Sequence, residues 1–258
     1  MCAIGLNAFI QKMRDAHVIV RRSIALASPE AGTVTAWLED NFHHFGVLLK
    51  HDAGRVIDVA AATIRFPWTT CGHAGSPLKM LAGQALIGRP EMLAALLPMQ
   101  LQCTHLFELA ALAMVHAAHS ASDRRYDMVV RKDGILPGQN RGTLMRDGQE
   151  ISSIKVDGSM ILGPAGYAGR DLYKGFRKWL AECSDEEAMT LWLLRRSLWL
   201  GKGMSLFKPQ PVAAATDMGA VCYSYQPEQR DHAFAVSDSI IDVTDPNVRL
   251  LSRSPGFS

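Results

Sequence analysis

The chain has 258 residues, 48% of them hydrophobic and 20% charged, with a formal net charge of +2. That length can bury a sizeable core, and a near-neutral balance without a long Lys/Arg run leaves no electrostatic footprint for nucleic acid. No apolar run approaches the roughly 20 residues of a membrane-spanning helix, so no nucleic acid and no membrane is expected as a partner.

The five cysteines, Cys2, Cys71, Cys103, Cys183 and Cys222, are odd in number and scattered, which argues for reduced thiols rather than a disulfide framework. Residues 1–15 lack the ordered basic start, long apolar core and small-residue cleavage site of a secretory signal. The expected location is the cytoplasm.

Residues 17–27 alternate as a strand, Ser28-Pro29-Glu30-Ala31-Gly32 reads as a turn, and 33–39 is extended again. From Asp40 to Cys71, two runs of β-branched and aromatic residues flank Asp52-Ala53-Gly54. A Gly at the third loop position suits a three-residue hairpin connection. His51 then pairs with Arg55, and His43, Phe45, Val47, Leu49 and His51 share a face with Ile57, Val59, Ala61, Thr63 and Arg65. A two-residue loop would shift the register and set His44 beside Arg65 instead. Pro67, which cannot donate to a ladder, ends the hairpin.

Ser76 and Pro77 read as the N-cap and first position of a helix to about Gly83, and Pro90 can open a second. A longer helix follows Cys103-Thr104-His105 and runs to about His119. Its His105, Glu108, Leu112, His116 and His119 form one stripe, with Ala110, Ala113, Met114, Ala117 and Ala118 largely opposite. The stripe is either a solvated face or, at its first turn, a wall of a cleft beside the hairpin. Period-two patterns return at Tyr126–Lys132, Arg141–Arg146 and Gln149–Ile161, with Asp147-Gly148 as a tight-turn signal. Gly163 to Gly169 is a flexible connection without the spacing of a phosphate or dinucleotide loop.

A helix from about Asp171 to Glu182 is followed by another that opens on the capping box Ser184-Asp185-Glu186-Glu187. Val221 to Pro227 is the one extended piece of the tail. The chain is thus strand-rich over 17–66, helical over 76–119, strand-rich over 126–161, helical over 171–200 and irregular over 204–258. This order predicts an α+β fold in a single domain: a mostly antiparallel sheet of hairpin meanders with helices packed against it.

Several residues could do chemistry. A His and an Arg at one end of an apolar sheet face can move a proton and clamp an oxyanion. His43, His44, His105 and Arg65 are therefore the candidate catalytic residues, with Glu108 to orient an imidazole. The competing reading makes each His a hydrogen-bonded core residue and Arg65 an edge residue reaching water. Cys71-Gly72-His73 and Cys103-Thr104-His105 invite a zinc site, with His43-His44 as further nitrogen ligands, and with it a metal-dependent hydrolase. Their one-residue spacing is not the usual two to four, and no metal is assigned. Cys103, near a helix start, is a conceivable nucleophile, against the commoner buried structural thiol. No nucleophile elbow supports a serine hydrolase.

Five separated blocks carry a resemblance: Asp40-Asn41-Phe42-His43-His44-Phe45; His51-Asp52 before a Gly; Arg65 to Cys71; Cys103-Thr104-His105-Leu106; and Cys222 to Pro227. Together they resemble the bacterial family of domain of unknown function 2889, over about Arg21 to Asp242. His73 departs from it, standing where a Pro or small residue is usual. The resemblance implies a γ-formaldehyde lyase acting on phenylcoumaran-type lignin dimers, releasing formaldehyde and leaving a stilbene. It also implies a small aromatic substrate and no cofactor; for such a substrate the candidate binding residues are Phe45, Phe66, Trp68, Cys71, Cys103 and Glu108. A non-catalytic aromatic-binding protein remains the alternative, and a homo-oligomer stays open.

Overall fold

A computed structural model describes residues 17–134, 138–204, 219, 221–236, 238–243, 245, 247–253 and 257. The readings of residues 1–15 and of much of the tail lie outside them. The strands are β1 (Val18–Glu30), β2 (Thr33–Asp40), β3 (His44–Asp52), β4 (Arg55–Arg65), β5 (Arg124–Lys132), β6 (Gln139–Arg146), β7 (Gln149–Asp157) and β8 (Met160–Gly163). They form one eight-stranded antiparallel sheet, ordered β4-β3-β2-β1-β5-β6-β7-β8, with helices packed against it. The α+β fold read from the sequence is the one observed. By compactness the chain divides into two units, drawn from 24–124, 208–241 and 250–258, and from 17–23, 125–207 and 242–249.

In the first unit β2, β3 and β4 form a meander covered by α1 (Thr104–Ala118). The β3–β4 turn corrects the expected three-residue loop. Asp52 pairs with Arg55 across a two-residue turn, in which Ala53 and Gly54 are both left-handed, at φ 45° and 74°. Two bulges then restore and reverse the side-chain parity. The first, between Lys50 and His51, sets Leu49 against Val59, Val47 against Ala61 and Phe45 against Thr63. These residues share the expected face, two positions out of the expected pairing. The second, between His44 and Phe45, leaves His44 and not His43 opposite Arg65.

Helix α1 is buried all round from His105 to Ala117, including His105, Glu108 and His116, so its polar stripe meets solvent only at His119. Alanines let it lie close on β2 and β3. Between hairpin and helix the chain runs through 3₁₀ turns at Thr69–His73, Ser76–Leu81, Pro90–Ala95 and Met99–Leu101. The helices expected from Ser76 and Pro90 are thus short 3₁₀ pieces, the first entered from Gly75 rather than Ser76. Gly75 approaches β4 so closely that a Cβ there would stand 2.5 Å from that of Ala61.

In the second unit β5 to β8 form a meander, with the expected left-handed turn at Asp147-Gly148 between β6 and β7. Helices α2 (Phe176–Leu180) and α3 (Asp185–Met204) follow, and α3 packs on β6. The Ser184 hydroxyl accepts the Glu187 backbone N–H at 3.3 Å, one half of the expected capping box. The stretch from Val221 is not extended as read: it makes a 3₁₀ turn at Tyr223–Tyr225 and the short α4 (Pro227–Arg230). No described helix is long and apolar enough to cross a membrane. The four described cysteines, Cys71, Cys103, Cys183 and Cys222, form no disulfide with one another.

Candidate functional site

The connection from β2 to β3 is a tight turn, closed by the Asp40 N–H donating to the His43 carbonyl at 2.8 Å. Asp40 folds its carboxylate back over the turn. Its Oδ1 accepts the N–H of Phe42 at 2.8 Å and of His43 at 2.9 Å, the arrangement that suits Asp at the head of a turn. The same oxygen lies 3.1 Å from His43 Nδ1. The turn therefore fixes carboxylate and imidazole together.

Helix α1 brings the third member. His105, in its first turn, stacks on His43 with ring centroids 3.7 Å apart, and its Nε2 is 4.0 Å from Asp40 Oδ2. Asp40 is fully buried, and each His side chain is only 10% exposed. Phe45 forms the floor, its ring 5.2 Å from that of His43 and 6.3 Å from that of His105. Glu108 follows one turn later on α1, fully buried. Burial of Asp40 and the two imidazoles is tolerable because they are arranged on one another.

His44 belongs to a neighbouring cluster. Its ring meets Trp37 edge-on, and its Nδ1 lies 3.8 Å from Glu39 Oε1. Burial pushes its pKa down, Glu39 opposes that, and the Arg65 guanidinium adds to it. Arg65 does not face the imidazole pair with its fork. Nη1 donates to the carbonyls of Asn41 (3.1 Å) and Ser239 (2.8 Å). Nη2 donates to the carbonyls of Asp40 (2.7 Å) and His43 (3.3 Å) and to Glu39 Oε1 (3.2 Å). The expected oxyanion clamp is a clamp on the turn that carries Asp40 and His43. Glu39 is held in turn by the Leu251 N–H, at 2.6 Å on Oε2.

The remaining candidates gather elsewhere in the unit. Trp68 meets Tyr225 edge-on, and the Cys71 thiol is 3.2 Å from the Ser224 hydroxyl, which also receives Thr70 at 2.8 Å. Burial pushes the Cys71 thiol far up, with Cys103 and Cys222 adding to the effect, so it is no ready thiolate. Burial likewise pushes Tyr225 up to about 12, helped by Cys222 and Cys71. Cys103 is the buried N-cap of α1, and Phe66 is half-buried near Gly72. His73 is exposed while Cys71 is buried, so this pair does not converge on an ion.

The sequence reading missed Asp40 as a site residue. Its signal is the Asp-Asn-Phe-His turn itself, where an Asp side chain that caps the turn necessarily lies beside the fourth residue. Among the described residues, Asp40, His43 and His105 are also the one group of three with metal-ligating atoms, all within 4.8 Å of one another. No model of a known protein family matches the chain, and no curated protein sequence matches it.

Proposed function

We propose that the chain is a carbon–carbon lyase of lignin-derived aromatic dimers, with its centre at His43, His105 and Asp40. The observation that carries this is the buried imidazole pair, stacked at 3.7 Å, held by a carboxylate and floored by Phe45. Such a centre can take and return a proton out of reach of bulk water. The substrate class comes from the resemblance of the five sequence blocks, and the chemistry of the centre is compatible with it.

In a phenylcoumaran, an imidazole takes the proton of the hydroxymethyl oxygen. The O–H electrons become the second bond of formaldehyde, and the broken carbon–carbon bond supplies the new double bond of the stilbene. The aryl ether bond opens and its electrons leave on the phenolate, which recovers the proton from the imidazolium. The sum is redox-neutral. Asp40 orients His43, while Arg65 holds the turn that positions both.

Purified protein incubated with a phenylcoumaran should release formaldehyde and stilbene in equal amounts. His105→Ala and His43→Ala should each lower the rate by about 100-fold or more, the usual scale of a lost acid–base group. Release at an unchanged rate in both variants would remove the pair from the mechanism.

A further inference from the structure

We infer that Asp40, His43 and His105 together hold a divalent first-row transition-metal cation of the zinc or iron(II) class. Two imidazole nitrogens and one carboxylate oxygen are the donor set such ions take, whereas magnesium and calcium call for oxygen alone. The donor atoms all lie within 4.8 Å of one another.

The donor atoms are close enough to share an ion, and the two rings, stacked at 3.7 Å with 28° between their planes, splay on binding so that both lone pairs meet it. A tetrahedral ion with bonds of about 2.0–2.1 Å separates its donors by roughly 3.4 Å. His43 Nδ1 is 3.1 Å from Asp40 Oδ1, and His105 Nε2 is 4.0 Å from Asp40 Oδ2, so each imidazole already has one oxygen of the same carboxylate near that distance. Binding replaces the hydrogen shared by His43 and Asp40. The frame is already stiff: the N–H groups of Phe42 and His43 aim the carboxylate, as outer-shell donors do in metal sites. The nearby Arg65 charge is offset by Glu39 at 3.2 Å. Three protein donors leave a fourth position for water or a substrate oxygen, the pattern of a catalytic rather than a structural ion.

The inference rests on the reading that this centre does the chemistry, and it changes the carrier of the proton. With the ion bound, water on it would serve as base in place of bare imidazole, and the ion would supply the positive charge that Arg65, tied to carbonyls, does not bring to the substrate oxygen.

The test is calorimetric titration of chelator-treated full-length protein with Zn²⁺, alongside thermal unfolding. Wild type should bind one equivalent and unfold at a higher temperature. Asp40→Asn, which keeps an oxygen to cap the turn, and His105→Gln should each weaken binding by at least about tenfold. The double variant Cys103→Ser, Cys222→Ser should bind as wild type does. The inference is overturned if wild type takes up no zinc, or if uptake follows the thiols and survives His105→Gln. Formaldehyde release without zinc uptake would overturn the ion and leave the lyase standing. Uptake at the three residues without formaldehyde release would support the ion and remove the lyase.

Discussion

Arg65 shows how one side chain can be identified correctly and assigned the wrong partner. Sequence places it at the end of the hairpin with a His nearby, and a guanidinium there reads as an anion clamp. Its two terminal nitrogens instead bond four carbonyls and a carboxylate at 2.7–3.3 Å. Residue type announces a fork of donors, but not which acceptors the turn will present. Lysine has the charge without the planar fork, so Arg65→Lys should cost roughly 2–4 kcal/mol by leaving buried carbonyls unmet. Urea unfolding measures this, and an unchanged midpoint would mean the clamp is ornamental. Asp40 escaped for the converse reason. It reads as an ordinary turn former, and its role exists only because α1, more than 60 residues on, sets His105 beside it.

At the scale of elements, strands and their order were legible because period-two patterns and turn residues agree along the chain. The Asp147-Gly148 hairpin was read correctly, since Asp-Gly tolerates two left-handed residues. The Asp52-Ala53-Gly54 turn was not, since it places Ala53 at φ 45°, which a residue with a Cβ seldom adopts. The bulges had no signal at all, because an extra residue in a strand looks like any other. Helix α1 misled through its His and Glu residues, which are buried by packing on both sides rather than exposed. Packing of the 3₁₀ segment is equally unforgiving. Gly75 has ordinary backbone angles, so the only penalty of Gly75→Ala is the 2.5 Å approach to Ala61, whose Cβ is fixed to its strand. A loss of about 1–3 kcal/mol is expected. Equilibrium denaturation showing no loss would mean that the segment floats free of β4.

For the whole molecule, the expected consequence of burying histidines is sensitivity to acid. Burial pushes the pKa of His116 down, with Asp123 opposing and Arg124 reinforcing the shift. Its folded value lies below the unfolded value of about 6.5. Above that value both states are neutral there and the packing is undisturbed. As pH falls through it, the unfolded chain takes up the proton first, and stability declines until the folded value is reached. His116→Gln should therefore flatten the fall in urea midpoint between about pH 7.5 and about pH 5.5. Equal slopes in both proteins would assign the acid sensitivity to other groups.

The outermost strand has a quieter consequence. β4 ends the sheet order, and its beginning is lined by the bonds of Val56 and Gly54 to the segment at 83–86. The residues its two bulges insert are Ile57 and Ile64, both turned to water. A bare hydrophobic rim invites a stranger's strand to dock and template fibrils. Here the regular spacing of donors and acceptors lasts only from Asp58 to Thr63 before it is broken at either end. The kinks that turn His44 toward Arg65 thus also leave an intruding strand too little ladder to grip.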